Sequence, residues 1–201
     1  MKKIITVSRQ FGSGGRSIAK KIADELGYDY YDSELIKIVA EETGFDPAYI
    51  ADAGEYAPGR SILSYALGSA HHATGQHISA SDYLWATQSR IITELAEKGS
   101  CVIVGRCADY ILRDRKDCLN VFVHADDEYR AKRIVELYGV RDKSPQKRLE
   151  EKDARRRTNY KYFTGREWGQ TENYHIALDS SALGSDMCVK LVTEIAKATD
   201  K

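Results

Sequence analysis

The 201-residue chain has no net charge to spend: thirty lysines and arginines balance thirty aspartates and glutamates. With no global field to draw in nucleic acid or an anionic membrane, any basic site must be local, and neither partner is expected. A C-x-x-C pair is also lacking, so Cys101, Cys107, Cys118 and Cys188 read as free thiols of a cytoplasmic protein. No apolar run approaches the ~20 residues that span a bilayer. The opening MKKIITVSRQ turns polar before a secretory core could form. Internal repeats and low-complexity tracts are missing too. What remains is a chain long enough for one well-buried core with a mobile subdomain, and too short to need two independent domains.

Short β-branched runs stand at Ile4 to Val7, Cys101 to Val104 and Leu119 to Val123, each followed within a few residues by a helical pattern. Continuous apolar runs suit strands buried on both faces of a parallel sheet. Weaker strand candidates are Tyr28 to Tyr31 and His175 to Leu178. About five strands alternating with helices is the pattern of a doubly wound α/β domain. Ile18, Ile22 and Leu26 recur at helical spacing before Gly27, and Asp32 or Ser33 can cap a second helix that Gly44 closes. Further helices are expected from about Ser81 to Lys98, from Asp126 onward, from Ser144-Pro145 to about Tyr160, and from about Ser185 to Ala198. Residues 52 to 80 and 161 to 174 lack sustained periodicity, as lids and binding loops do.

Between the first strand and first helix lies VSRQFGSGGRS, residues 7 to 17. A phosphate-binding loop is written G-x-x-x-x-G-K-[ST]: backbone amides hold phosphates, the lysine reaches the terminal ones and the hydroxyl binds magnesium. Gln10 to Ser17 aligns with it at the second glycine, Gly15, and at Ser17. Gly12, Gly14 and Gly15 permit close approach of an anion, and the helix start behind them adds its amides. Gln10 replaces the first glycine and Arg16 the lysine, keeping the charge but exchanging an ammonium point for a planar fork. The competing reading is a strand-to-helix turn without a ligand.

Two more cationic features follow in order. In CVIVGRCADYIL, Arg106 leaves the carboxyl end of a buried strand, the edge at which open α/β sheets bind ligands. It can hold a second phosphate, or it can be a surface arginine at a helix start. In EEKDARRRTNYKYF, Arg155, Arg156 and Arg157 fan over different faces of a helix on which Arg148 and Arg155 share one face. Such cations neutralise charge in phosphoryl transfer, or they belong to a solvated helix paired with Glu150, Glu151 and Asp153. His71, His72 and His77 fit no metal-ligand spacing. Tyr160, Tyr162, Phe163, Trp168 and Tyr174 are read as packing residues ahead of base-stacking ones.

The ordered segments ITVSRQFGSGGRSIAKKIADELGYDYYD, VIVGRCADYIL, VFVHADDEYRAKRI and EEKDARRRTNYKYFTGREWGQTENYHIALDSS resemble the cytidylate kinase-like family over nearly the whole chain. The resemblance implies a P-loop NTPase fold, a three-layer α/β/α domain around a five-stranded parallel sheet in 2-3-1-4-5 order. The whole chain, residues 1 to 201, would form that one domain, with a nucleoside-monophosphate-binding insertion at about 45–98 and a lid at about 141–174. It assigns Gly12, Ser13, Gly14, Gly15, Arg16 and Ser17 to ATP, and Ser17 to Mg²⁺. Arg106 would hold the acceptor phosphate and Asp32 would face the acceptor. Arg155 and Arg157 resemble lid arginines, and Asp179, in the following L-D-S-S segment, is assigned to substrate binding. Arg16 and Val104 depart from the family pattern, the latter standing where cytidylate kinase carries an acid, and no base-recognition segment is evident in residues 52 to 80. The expected activity is ATP-dependent phosphorylation of a nucleoside monophosphate, CMP or dCMP first. A kinase of another small metabolite and a non-catalytic nucleotide-binding regulator are the alternatives. Monomer and homodimer are both compatible with the sequence.

Overall fold

A computed structural model describes residues 3–53 and 79–198. His71, His72, His77 and most of the aperiodic 52 to 80 stretch lie outside the described residues. At the centre is β1 (Ile4–Arg9), all six residues of which are buried. It pairs in parallel with β3 (Cys101–Val104) on one side and β4 (Cys118–His124) on the other. The edges are β2 (Asp29–Tyr31), against β3, and β5 (Ile176–Asp179), against β4. The order β2-β3-β1-β4-β5 is the one the family resemblance implies.

Alternation along β1 divides the core. Ile5 and Val7 face a cluster with Ile18, Ile22, Cys188 and Val192, contributed by α1 (Gly15–Leu26) and the last helix, α9 (Ser185–Lys197). Ile4 faces the opposite cluster with Leu35, Ile50 and Ile92, from α2 (Ser33–Thr43), α3 (Pro47–Ala53) and α4 (Ala80–Lys98). Helices thus cover both faces of the sheet, which is why its central strands read as unbroken apolar runs. Ile18 and Ile22, one helical turn apart and both fully buried, each contribute roughly 1.5–3 kcal/mol to holding α1 down.

The remaining elements are α5 (Ala108–Ile111), α6 (Asp127–Tyr138), α7 (Pro145–Thr164), a 3₁₀ turn (Thr171–Asn173) and α8 (Ser180–Leu183). Two caps behave as their side chains dictate: Asp126 accepts from the Tyr129 amide and Ser144 from the Lys147 amide. Asp32 does not. It sits at the N-cap of α2 without bonding the helix, because its carboxylate is turned toward Arg16. α7 runs to Thr164, one turn beyond the expected end near Tyr160, and Gly165 closes it.

The aromatics near the end of α7 pack against the body. Phe163 stacks on Trp85 of α4 at 4.5 Å, while Trp168 and Tyr174 lie 5.3 and 4.9 Å from Phe122. All four cysteines are free and buried, and burial pushes the thiols of Cys101 and Cys118 up to about 12.

Candidate functional site

The carboxyl ends of β1, β2 and β3 open on one cavity of about 270 Å³. Strand order reverses at β1, whose neighbours lead to opposite edges, and that reversal leaves a crevice at the strand ends. The glycine loop forms the floor. Gly12 and Gly14 have φ of 84° and 80°, left-handed angles that glycine adopts without strain. Gly15 then begins α1, so loop amides and helix start converge on the cavity.

The residue that replaces the first loop glycine has its own task. Gln10 takes a hydrogen bond from the Ala125 amide on its Oε1 at 3.2 Å, and its own amide donates to the Val123 carbonyl at 3.0 Å. The loop is thereby stitched to the end of β4. Ser13 is fully buried: its Oγ donates to the Gln10 carbonyl at 2.9 Å, and its carbonyl accepts from Ser180 Oγ at 2.6 Å. From the other side, Asp153 of α7 accepts the Phe11 amide at 2.8 Å and Arg130 Nη1 at 2.6 Å. Arg130 also donates to the Phe11 carbonyl at 3.2 Å. A loop tied down at Gln10, Phe11 and Ser13 is preorganised, so its amides need no reordering when an anion arrives.

Cations dominate the cavity wall: Arg9, Arg16, Arg106, Arg133, Lys152 and Arg156, with Asp32 the acid among the described lining residues. Arg16 Nε donates to Asp32 Oδ2 at 2.5 Å. Burial works to lower the Arg16 pKa, and the Asp32 charge and hydrogen bond outweigh it, leaving the guanidinium firmly charged. Because the Arg16 side chain is 58% exposed, the pair is worth about 1 kcal/mol or less. Arg133 Nη2 donates to Ser17 Oγ at 3.2 Å, joining α6 to the loop serine. Arg106 follows Gly105 through a left-handed turn, with φ of 58° at Arg106 and 54° at Cys107. Such angles cost non-glycine residues of the order of 1 kcal/mol or more each. They are held here by bonds from Arg106 Nη1 to the Ile50 carbonyl at 2.8 Å and from Gln88 to the Arg106 carbonyl.

The structure brings together Gly12, Gly14, Gly15, Arg16, Ser17, Asp32 and Arg106 on the cavity wall, with Ser13 directly beneath. Arg155 opens on an adjoining cavity of about 510 Å³ that shares Phe11, Tyr138 and Lys152 with the first. Arg157 is exposed and lines neither, and Asp179 caps α8 by accepting from the Ser181 and Ala182 amides. The basic stretch instead presents Lys152 and Arg156, the latter donating to the Arg9 carbonyl at 3.1 Å. A readable signal existed. Leu149, Asp153 and Tyr160 are the buried stripe of α7, and position 156 falls on that stripe while 155 and 157 lie about 100° to either side. Arg9 and Arg133 stand inside the family-like segments but went unread, because the phosphate-loop pattern begins only at Gln10 and nothing local marks position 133.

Phosphate groups fit this donor set: glycine amides, a helix start and several guanidinium forks. Magnesium needs few protein oxygens when phosphates and waters supply the rest, and Ser17 Oγ on the cavity wall could supply one. No cluster of three or more metal-binding side chains occurs among the described residues, nor does any described helix have the length and apolarity to cross a membrane.

Other proteins resemble this chain in sequence and in fold. A cytidylate kinase from Aeropyrum pernix is 26% identical over 187 residues, covering 92% of this chain and 94% of its own. An uncharacterised protein from Eubacterium ventriosum superposes with a TM-score of 0.73 at 24% identity, covering 98% of this chain and 99% of that one. Shikimate kinase from Acinetobacter baumannii, crystallised with shikimate, superposes at 0.56 with 14% identity over 100% of this chain and 97% of its own. These neighbours share the P-loop kinase fold. The model of the cytidylate kinase-like family matches residues 4–182, nearly the entire length, and the chain belongs to that family.

Proposed function

We propose that this protein is an ATP-dependent phosphotransferase whose acceptor is a nucleoside monophosphate, CMP or dCMP first. The observation that carries the reading is the cavity itself. One preorganised amide cradle and two separated arginines, Arg16 on the loop and Arg106 on the turn after β3, converge on a single crevice. A ligand with one phosphate group needs one such pole; a donor and an acceptor need two.

The division of labour follows from position. The amides of Gly12 to Ser17 with Arg16 and Arg133 hold the donor's phosphates. Ser17 would hold magnesium, which would supply neutralisation of phosphate charge. Arg106 holds the acceptor's phosphate, and Asp32, once released by Arg16, faces the acceptor's sugar or base. An acceptor phosphate oxygen is already anionic, so no general base is required and catalysis is positioning and charge neutralisation. Lys152 and Arg156 reach the wall in the structure as it stands, and closure of the 141–174 segment carries α7 as a whole, bringing Arg155 and Arg157 toward the transferred group and excluding water. Asp179 acts through the α8 cap, holding Ser180 against the Ser13 carbonyl.

A coupled assay of ADP release tests the proposal. Purified protein and Mg-ATP are combined with a panel of nucleoside monophosphates, shikimate-like polyols and sugar acids. Turnover on CMP or dCMP is expected. Turnover only on the alcohols would move the acceptor class, and ATP binding without turnover on any acceptor would overturn the kinase reading.

A further inference from the structure

We propose that Arg9, which the family resemblance does not assign, is a further catalytic cation, contacting the phosphoryl group as it passes between donor and acceptor; this rests on the kinase reading above. Arg9 is the last residue of the central strand and opens on the cavity, though only 6% of it is exposed. Two glycines make room for it. A Cβ on Gly15 would lie 2.5 Å from Arg9 Cβ and 3.1 Å from Cγ, and a Cβ on Gly105 would collide with its guanidinium, with Cζ at 3.1 Å. The stem therefore rests on the first residue of α1, beneath the donor cradle. The head reaches the turn that carries Arg106. Arg9 spans the interval between the two phosphate poles, the interval a transferred phosphoryl group must cross.

The surroundings fit a cation held for a polyanion. Arg9 lines the same cavity wall as Arg16, Arg106, Arg133 and Arg156, so the positive charge gathers where a polyanion would sit. Its backbone is fixed as well, since the Arg9 carbonyl accepts from Arg156 Nη1. During transfer an oxygen of the acceptor phosphate bonds to the donor's terminal phosphorus. The bond from that phosphorus to the bridging oxygen breaks, and its electron pair stays on the departing diphosphate. No proton moves and total charge is unchanged, but negative charge migrates across the gap. A planar fork between the poles can bond equatorial oxygens before, during and after this passage, which a point charge cannot do as well.

The test uses the full chain with the acceptor that the assay above identifies. Arg9→Met should lower kcat by ~100-fold or more while affinity for a non-hydrolysable ATP analogue, read by calorimetry, stays within about threefold. Arg9→Lys should recover part of the rate. Millimolar guanidinium ion should restore part of kcat to Arg9→Ala where urea does not, a readout that a folding role would not produce and that holds if Arg9→Met fails to fold. A folded Arg9→Met with parental kcat, a rate loss matched by equal loss of nucleotide affinity, or no chemical rescue would each overturn the proposal. If the parent chain turns over no acceptor, the kinase reading falls and takes Arg9's catalytic role with it; parental turnover with an indifferent Arg9 removes only the latter.

Discussion

Asp153 shows how much one buried side chain can decide. Its carboxylate accepts the Phe11 amide, Arg130 Nη1 and, at 3.5 Å, Arg156 Nη1, and its side chain is 4% exposed. Removing it would strand the 7%-exposed Arg130 side chain with a reduced set of partners and leave a loop amide unbonded. Breaking a buried pair from one side costs about 3–5 kcal/mol. Asp153→Ala is therefore expected to lower the urea-denaturation midpoint strongly and to weaken nucleotide binding through a loosened loop. Asp153→Asn, which keeps an acceptor for Phe11, should bind nucleotide better than Asp153→Ala at equal temperature. Equal stability of parent and Asp153→Ala would sink this account. Gln10 makes the complementary point. Against the loop pattern it reads as a defect; in the fold it is the side chain that binds the loop to β4.

At the scale of an element, α7 explains why a run of arginines is hard to read. Three consecutive positions on a helix point about 100° apart, so at most one can follow the buried stripe. Leu149, Asp153 and Tyr160 define that stripe, and Arg156 lies on it, with its guanidinium on the Arg9 carbonyl. A charge-assisted bond of this kind is worth about 1.5–3 kcal/mol. Arg156→Ala should lower both stability and kcat. Arg157, exposed, should behave differently: Arg157→Ala is expected to leave thermal stability within about 0.5 kcal/mol and to affect kcat alone, through the closing segment. Melting curves and steady-state rates of the two variants, side by side, separate these roles. Matching losses of stability would refute the assignment of faces.

The whole molecule is tied together beneath the site by a buried polar network. Asp109 of α5 is 2% exposed and accepts Tyr160 Oη of α7 at 2.6 Å and Ser8 Oγ of β1 at 3.4 Å. Asn120 of β4 reaches the Asp109 carbonyl, Arg166 acts on Asp109 through its charge, and the Asp109 charge in turn adds to the burial that pushes Tyr174 up. Burial pushes Asp109 upward, against the pull of its hydrogen bonds from Tyr160 and Ser8, and burial beside Asp109 pushes Tyr160 up as well. A carboxyl group raised in the folded state binds more protons folded than unfolded, so its contribution to stability is greatest below the unfolded value near 4. It is lost as pH rises through the raised folded value, at up to about 1.4 kcal/mol per pH unit. Denaturant titrations from pH 4 to 8 should therefore show the parent losing stability relative to Asp109→Asn as pH rises. Parallel curves would mean that Asp109 does not titrate in this window.

Much of this architecture was legible along the chain because its causes are local. Strand cores at Cys101–Val104 and Leu119–Val123, the acidic helix start at Asp126, capping at Ser144, and stops at Gly27 and Gly44 depend on neighbours a few residues away, and the structure places them there. The glycine loop and Arg106 were legible for the same reason, and the structure brings both to one cavity. Tertiary structure alone decided which cations share the cavity. Arg9 and Arg133 enter it from the end of the central strand and from α6 because sheet order and helix packing carry them there. Lys152 and Arg156 displace their neighbours on the wall because burying Leu149 and Tyr160 sets the rotation of α7. Asp32 turns from its helix to Arg16 because the fold closes the distance between β2 and the loop. Local sequence writes the elements, whereas the direction in which a long charged side chain points is set by what the apolar residues beside it must bury against.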